Sequence, residues 1–121
     1  MPKSGDKTSK VWQVLSSNTV YNYPLFVRLK RQTVQLPDSG QVDDYHWLEM
    51  PEFCLICSYT IDRRIVTLRG YRHGIGEVVS FLPGGLVEEE EAPVDSAKRE
   101  LLEETGYQAD SWRPMGSYVP H

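Results

Sequence analysis

Three carboxylates, Glu100, Glu103 and Glu104, stand three and four positions apart in the segment Arg99-Glu100-Leu101-Leu102-Glu103-Glu104. On a helix that spacing puts them on one face, where like charges repel and a bare cluster costs stability. A bound divalent cation reverses that cost. Hard oxygen ligands on a rigid element suit magnesium, which keeps several waters and completes its shell with substrate phosphates. Arg99 stands four before Glu103, close enough for an ion pair that orients a carboxylate, and Glu91 lies just ahead of the same segment. Upstream, Leu82-Pro83-Gly84-Gly85 closes a β-rich run with two glycines. Glycine there lets a backbone carbonyl approach a metal and lets a strand lie close against a helix.

These groups need elements to hold them. Pro93 suits a first helical turn, Val94, Ala97 and Leu101 recur at helical spacing, and Gly106 sits where a left-handed C-cap belongs, so the pattern predicts a helix over Pro93 to Thr105 with those three residues as its buried stripe. Ahead of it the chain reads as strands. Structure is expected to begin near Val11. Phe26 to Leu36 and Val42 to Glu49, joined by the turn residues Pro37-Asp38-Ser39-Gly40, form a hairpin with one wet face. Cys54 to Ile61 and Ile65 to Leu68 flank the polar turn Asp62-Arg63-Arg64. The loop Gly74-Ile75-Gly76 leads into Val78 to Leu82, and Ser111 to Val119 reads as one more strand. Many strands, one helix and one strand indicate a mixed α+β fold. Nothing repeats, and residues 1–10 read as a disordered polar tail.

At 121 residues the chain holds one fold. Its formal charge of −4 gives no pull toward a nucleic-acid backbone or an anionic membrane. A small anionic substrate therefore needs a metal or a local basic group. No apolar run approaches a membrane span and the polar start lacks a signal peptide's apolar stretch, so a cytoplasmic protein is expected. Cys54 and Cys57 sit three apart in a predicted strand, facing opposite ways, and read as two reduced core cysteines. His46, His73 and His121 are scattered and take no role.

Taken alone, Glu88 to Glu91 is an ordinary solvated acidic face. The combined spacing is different: Gly85, five residues, Glu91, seven residues, Arg99-Glu100, an apolar residue, any residue, Glu103-Glu104, any residue, Gly106 and an apolar or aromatic residue, here Tyr107. This stretch, 85–107, resembles the Nudix box at every defined position. Arg69-Gly70-Tyr71-Arg72, the loop His73 to Glu77, Leu82-Pro83-Gly84-Gly85 and Gly116-Ser117-Tyr118 extend the likeness, over roughly 11–121, to the ADP-ribose and nucleotide-sugar pyrophosphatase branch.

The resemblance implies a Nudix fold, in which a mixed β-sheet packs on the box helix and the complete domain is an α/β/α sandwich. It implies a hydrolase that cuts the pyrophosphate bond of ADP-ribose or a related nucleoside-diphosphate sugar, with Mg²⁺ as cofactor and Mn²⁺ as the alternative ion. Carried over position by position, Glu100 and Glu104 bind metal, Glu103 is a further ligand or a water activator, the Gly84 carbonyl is a backbone ligand, and Arg99 and Gly85 belong to the same site. Arg72 stands where the branch places an arginine near substrate phosphates, the alternative being a surface ion pair. Tyr45, Trp47 and Phe53 are candidates for a base-stacking wall or, more simply, for packing. Residues 11–50 resemble an N-terminal β region used for homodimerisation, and 51–121 the first part of the hydrolase domain. Neither a nucleic-acid nor a membrane partner is expected.

Two positions depart from the branch. Phe81 stands where an acidic residue is common, two before the proline, and Gly70 where a glutamine is common. Only 14 residues follow Tyr107, whereas the resemblance implies further strands and a closing helix. The expectation is a piece of a longer protein, with little activity by itself, an open sheet edge at Ser111 to Val119 and a tendency to associate. The alternatives are a house-cleaning enzyme for nucleoside triphosphates, which shares the box, and a noncatalytic nucleotide-binding remnant.

Overall fold

Two tight turns fold the first part of the chain. Pro24 fixes one backbone angle and Leu25 takes a left-handed φ of 71°, so the Phe26 N–H reaches back to the Tyr23 carbonyl at 3.1 Å. At the second turn Ser39 is left-handed (φ 71°), the Gly40 N–H donates to the Asp38 carboxylate at 3.0 Å, and the Leu36 N–H donates to the Gly40 carbonyl at 2.8 Å. In the computed structural model, which describes residues 11–120, these turns join β1 (Gln13–Tyr23), β2 (Val27–Gln35) and β3 (Gln41–Glu49) into an antiparallel sheet of order β1-β2-β3. The tail expected at 1–10 lies outside the described residues.

The hairpin read from the sequence is β2–β3. The long strand β1 was not anticipated as such, because Ser16-Ser17-Asn18-Thr19 breaks the alternation that marks a half-buried strand. Every residue of β1 is exposed, and its pairing with β2 is irregular between Val14 and Ser16 and between Thr19 and Tyr21. Burial is confined to the middle strand, at Gln32 and Val34. The Gln32 side-chain amide donates to the Ser17 hydroxyl at 3.3 Å, which satisfies a polar group that burial would otherwise penalise.

Glu52–His121 forms a second compact unit after Met1–Pro51. Here β4 (Phe53–Leu55) pairs with β7 (Gly84–Leu86), and β5 (Leu68–Arg72) pairs with β6 (Glu77–Phe81), both antiparallel. The predicted strand Cys54 to Ile61 is shorter than expected: regular pairing ends at Leu55, and one further bridge, Tyr59 to Ile65, holds a turn at Asp62-Arg63-Arg64. The Arg63 backbone is left-handed there (φ 62°), and the Thr60 hydroxyl caps the turn by accepting from the Arg64 N–H at 3.0 Å.

The helix α1 (Pro93–Thr105) begins and ends where the sequence predicts. Pro93 opens it, and Gly106 (φ 74°) closes it with an N–H that donates to the Leu102 carbonyl at 2.9 Å. Its buried face differs by part of a turn from the expected stripe. Ala97 and Leu101 are buried, but Val94 is 43% exposed, and the fully buried residue of the first turns is Ser96. The hydroxyl of Ser96 donates to the Leu86 carbonyl at 3.2 Å, so a polar tether to β7 takes the place an apolar contact would have had. Leu101 and Ala97 pack with Ile56, and half-buried Cys54 and Trp112 lie against them.

Both cysteines are free and half-buried rather than fully in the core, with the Cys54 Sγ 3.7 Å from the Ser96 hydroxyl. The strand expected over Ser111 to Val119 does not form. Pro114 has no N–H to donate, Gly116 sits at φ 144°, and the segment is anchored instead by Trp112, whose indole N–H donates to the Ala109 carbonyl at 2.9 Å. The class is α+β, with strands gathered in three antiparallel sheets and the helix packed on β4 and β7. Among the described residues no helix is long and apolar enough to cross a membrane.

Leu101→Ala is expected to lower the unfolding free energy by about 2–5 kcal/mol, the usual cost of emptying a buried leucine site, whereas Val94→Ala should cost a small fraction of that. Thermal and urea denaturation of the two variants check this, and equal losses would mean that Val94 is part of the core after all.

Candidate active site

The carboxylates of α1 are not bare. Arg99 lies among them and distributes its donors widely. Its Nε and Nη2 form a two-pronged bond to Glu91, at 3.0 and 3.1 Å, while Nη1 reaches the Glu100 carboxylate at 2.8 Å and that of Glu103 at 3.4 Å. Nη2 also donates to the Leu86 carbonyl at 3.2 Å and approaches the Ser96 hydroxyl at 3.4 Å. The ion pair expected between Arg99 and Glu103 exists, but it is the longest of the four direct bonds to the three carboxylates. The shortest paths go to Glu91, before the helix, and to Glu100, its own neighbour. Glu88 stands 4.0 Å away.

This arrangement has a local cause. Glu90 adopts a left-handed φ of 65°, which turns the acidic run back on itself, and the Glu88 N–H then donates to the Glu91 carboxylate at 3.2 Å. Of the run Glu88 to Glu91, the first three are exposed as an ordinary solvated face, and Glu91 is drawn in to 18% side-chain exposure. The Arg99 bonds hold the Glu91 carboxyl below its ordinary value of 4.5, against a smaller opposing effect of desolvation. Reciprocally, Glu91 first and then Glu100 push the Arg99 guanidinium further up, so it is permanently charged.

The two glycines bring β7 against the helix. A Cβ on Gly84 would stand 2.1 Å from the Cys54 carbonyl oxygen, and one on Gly85 would stand 2.3 Å from the carboxyl carbon of Glu100. Any side chain at either position therefore collides with a strand partner or with a carboxylate of the cluster. The Gly84 N–H donates to Glu104 at 3.1 Å, which fixes the last of the three helix carboxylates to the same strand end. Glu100 is the most enclosed of them, at 14% side-chain exposure, and Glu103 is open at 57%.

Arg99, Glu100, Glu103, Glu104, Gly84 and Gly85 are thus brought together, with Glu91 as a member whose role sequence reasoning understated. Ser96 was missed altogether. Its signal was present as a small polar residue three before Arg99 and beside Ala97, on the side of the helix that turns inward. Arg72 is not part of this cluster. It stands at the end of β5, with its guanidinium 3.6 Å above the centre of the Phe81 ring, so its partner is aromatic and not the acidic residue of a surface ion pair. Tyr45 meets Trp12 edge-on at 5.9 Å, and Tyr45, Trp47 and Phe53 are all substantially exposed.

Among the described residues no three His, Cys, Asp or Glu side chains already converge as a metal cage. The donor set nonetheless fits a hard cation. It consists of oxygens only, one guanidinium is shared among Glu91, Glu100 and Glu103, and the Glu100 carboxylate occupies the space that a Cβ at Gly85 would fill.

A NUDIX domain model matches residues 53–121. The chain belongs to the NUDIX family. It is 30% identical over 114 residues to the methanol dehydrogenase activator of Bacillus methanolicus, across 94% of this chain and 57% of that protein. To the CMP-5'-(N-acetyl-N-hydroxy-3-aminopropyl)phosphonate hydrolase of Streptomyces rubellomurinus it is 33% identical over 97 residues, across 78% of this chain and 46% of the relative. To the ADP-ribose pyrophosphatase of Mycobacterium tuberculosis it is 32% identical over 105 residues, across 86% and 50%. A solved structure of an ADP compounds hydrolase shares the fold, with a TM-score of 0.66 at 21% identity over 83% of this chain and 54% of that one. This NUDIX chain spans about half the length of the curated relatives it matches.

Two outcomes follow from the geometry. Gly85→Ala should displace the Glu100 carboxylate and weaken the cluster, detectable as a lower melting temperature and as a loss of Mg²⁺-induced stabilisation; a variant indistinguishable from the parent on both counts would mean that β7 does not press on Glu100. The Glu91 carboxyl is depressed in the folded state, so its contribution to stability is present at neutral pH and is lost as the pH falls below the ordinary carboxylate value and through the folded one. Melting temperatures of Arg99→Met against the parent between pH 7 and pH 3 should therefore converge toward the acid end, and curves that stay parallel would contradict the pairing.

Proposed function

We propose that this protein is a divalent-metal-dependent hydrolase of the pyrophosphate bond in ADP-ribose or a closely related nucleoside-diphosphate derivative. The observation that carries the reading is the acidic cluster at α1, in which Glu91, Glu100 and Glu103 surround one guanidinium and Glu104 joins through the Gly84 N–H, pressed against a double-glycine strand end. ADP-ribose pyrophosphatase as a relative and an ADP compounds hydrolase as a fold neighbour support the substrate class.

In this reading Glu100, Glu103 and Glu104, with the Gly84 carbonyl, hold the ion, Mg²⁺ in the first place. When bound, such an ion polarises a diphosphate and makes a coordinated water acidic enough to attack phosphorus. The protein's own contribution is orientation. Arg99 pins Glu100 by a 2.8 Å bond while the carboxylate packs against the backbone of Gly85, so it has little freedom to turn away. Glu104 is held by the Gly84 N–H through one oxygen, which leaves its second oxygen for a ligand. Glu103, with its single long bond to Arg99 and its open surroundings, is the carboxylate best placed to accept a proton from water. Arg72, outside the cluster, is proposed to meet the substrate's phosphates. The exposed β1–β3 sheet, with apolar side chains such as Val14, Val20 and Tyr21 in the open, is proposed as the surface of a homodimer, and the cytoplasm as the protein's compartment.

In the full-length protein, Glu104→Gln should lower Mg²⁺-dependent ADP-ribose hydrolysis by orders of magnitude while the melting temperature holds or rises, because a neutral side chain relieves crowding and still accepts from Gly84. Glu100→Gln should lose activity equally but also lose some stability, since it gives up the charge-assisted bond to Arg99. AMP release measured against added Mg²⁺ or Mn²⁺ checks both, and near-normal turnover in either variant would sink the metal assignment.

A further inference from the structure

Arg72 and Glu77 are direct partners in the β5–β6 register. Residues so placed have Cβ atoms about 5 Å apart and pair readily when their charges are opposite. Among the described residues no salt bridge forms between them. The guanidinium lies instead over the Phe81 ring, its central carbon 3.6 Å from the ring centre. Phe81 itself is registered against Leu68, four residues from Arg72, and it reaches the arginine by leaning along the sheet over Gly70. A Cβ built at Gly70 would stand 3.7 and 3.9 Å from ring atoms of Phe81 and meet nothing else within 4 Å. The glycine is therefore the floor on which the ring lies, and the ring is the floor on which the guanidinium lies.

An arginine held by an aromatic face differs from one held by a carboxylate in two ways. Its charge is not neutralised, and the N–H groups around its edge stay free, because the ring occupies only the flat face. Those edge donors suit the paired oxygens of a phosphate. An acidic residue at position 81 would instead compete with an incoming anion for the same donors. A long polar side chain at position 70 would occupy the seat of the ring. The two positions at which this sequence departs from the branch pattern are thus in contact and serve one arrangement.

We propose that Phe81 is a positioning residue, which together with its seat at Gly70 holds the Arg72 guanidinium unneutralised and edge-on for the diphosphate of the substrate. This rests on the reading that Arg72 meets substrate phosphate, and the test separates the two. In the full-length protein, Phe81→Leu removes the ring and keeps an apolar side chain, Gly70→Gln fills the seat, Phe81→Tyr restores the ring, and Arg72→Ala removes the guanidinium. With ADP-ribose as substrate, Phe81→Leu and Gly70→Gln should each raise KM about three- to fivefold with little change in kcat, and Phe81→Tyr should stay near the parent. Arg72→Ala should raise KM by a larger factor. A raised KM in Arg72→Ala beside an unchanged KM in Phe81→Leu overturns the positioning role and leaves the phosphate role of Arg72 standing. An unchanged KM in Arg72→Ala overturns that role and the positioning with it. If ADP-ribose is not turned over, titration with inorganic pyrophosphate, followed at the Arg72 Nε–H resonance, decides. Weaker binding in Phe81→Leu than in the parent supports the proposal, and equal binding overturns it.

Discussion

One guanidinium in an acidic site makes the rest of the site buildable. Without Arg99, a helix carrying Glu100, Glu103 and Glu104 on one face, with Glu91 folded back against it, would be opposed by its own charge. With it, Glu91, Glu100 and Glu103 gain a partner without being fully neutralised, since one positive charge is shared among three negative ones, and Glu104 takes the Gly84 N–H instead. The shared pairing leaves an excess of negative potential, which is the property a cation site needs. The same side chain also bonds to the Leu86 carbonyl, so electrostatics and the packing of β7 on α1 are joined at a single residue.

Packing makes the complementary demand. The buried apolar cluster under α1 is small, comprising Ile56, Ala97 and Leu101 with Cys54 and Trp112 against it. A cluster of that size does not by itself fix the rotation of a helix to the accuracy a metal site requires. Polar and steric constraints supply the remainder: the Ser96 hydroxyl on the Leu86 carbonyl, the Gly84 N–H on Glu104, and the closeness of Gly85 to Glu100. All act between the same strand end and the same helix, and so the site and the helix orientation are set by one set of contacts.

The box helix, its caps and the members of the acidic cluster were legible in the sequence, because helical spacing, proline at the start and glycine at the end are local signals. What escaped was whatever depends on partners far away in the chain. Val94 reads as core by periodicity, yet the inward side of the helix is decided by β7, whose Leu86 carbonyl claims Ser96. Ser111 to Val119 has the composition of a strand but follows its tryptophan anchor instead. The strand β1 was obscured by its polar middle, where pairing with β2 rather than burial supplies the order. The strand read over Ile65 to Leu68 forms instead as β5 over Leu68–Arg72, and the aromatic partner of Arg72 could not be read, since Phe81 lies four register positions away on the neighbouring strand.

The two-pronged bond from Arg99 back to Glu91 spans the start of the helix, and that sets a rule for which changes in chain length the site can absorb. One residue inserted between Pro93 and Arg99 would turn everything after it by about 100° and advance it by about 1.5 Å along the axis. Arg99 would then face away from Glu91, and the carboxylates that follow it would leave the strand end together. The seven-residue spacer between Glu91 and Arg99 is therefore a ruler rather than a tether. The turn at Asp62-Arg63-Arg64 is exposed and, among the described residues, its bonds run only to near neighbours, Thr60 and the Tyr59–Ile65 bridge, so insertions there can be accommodated locally without disturbing the helix.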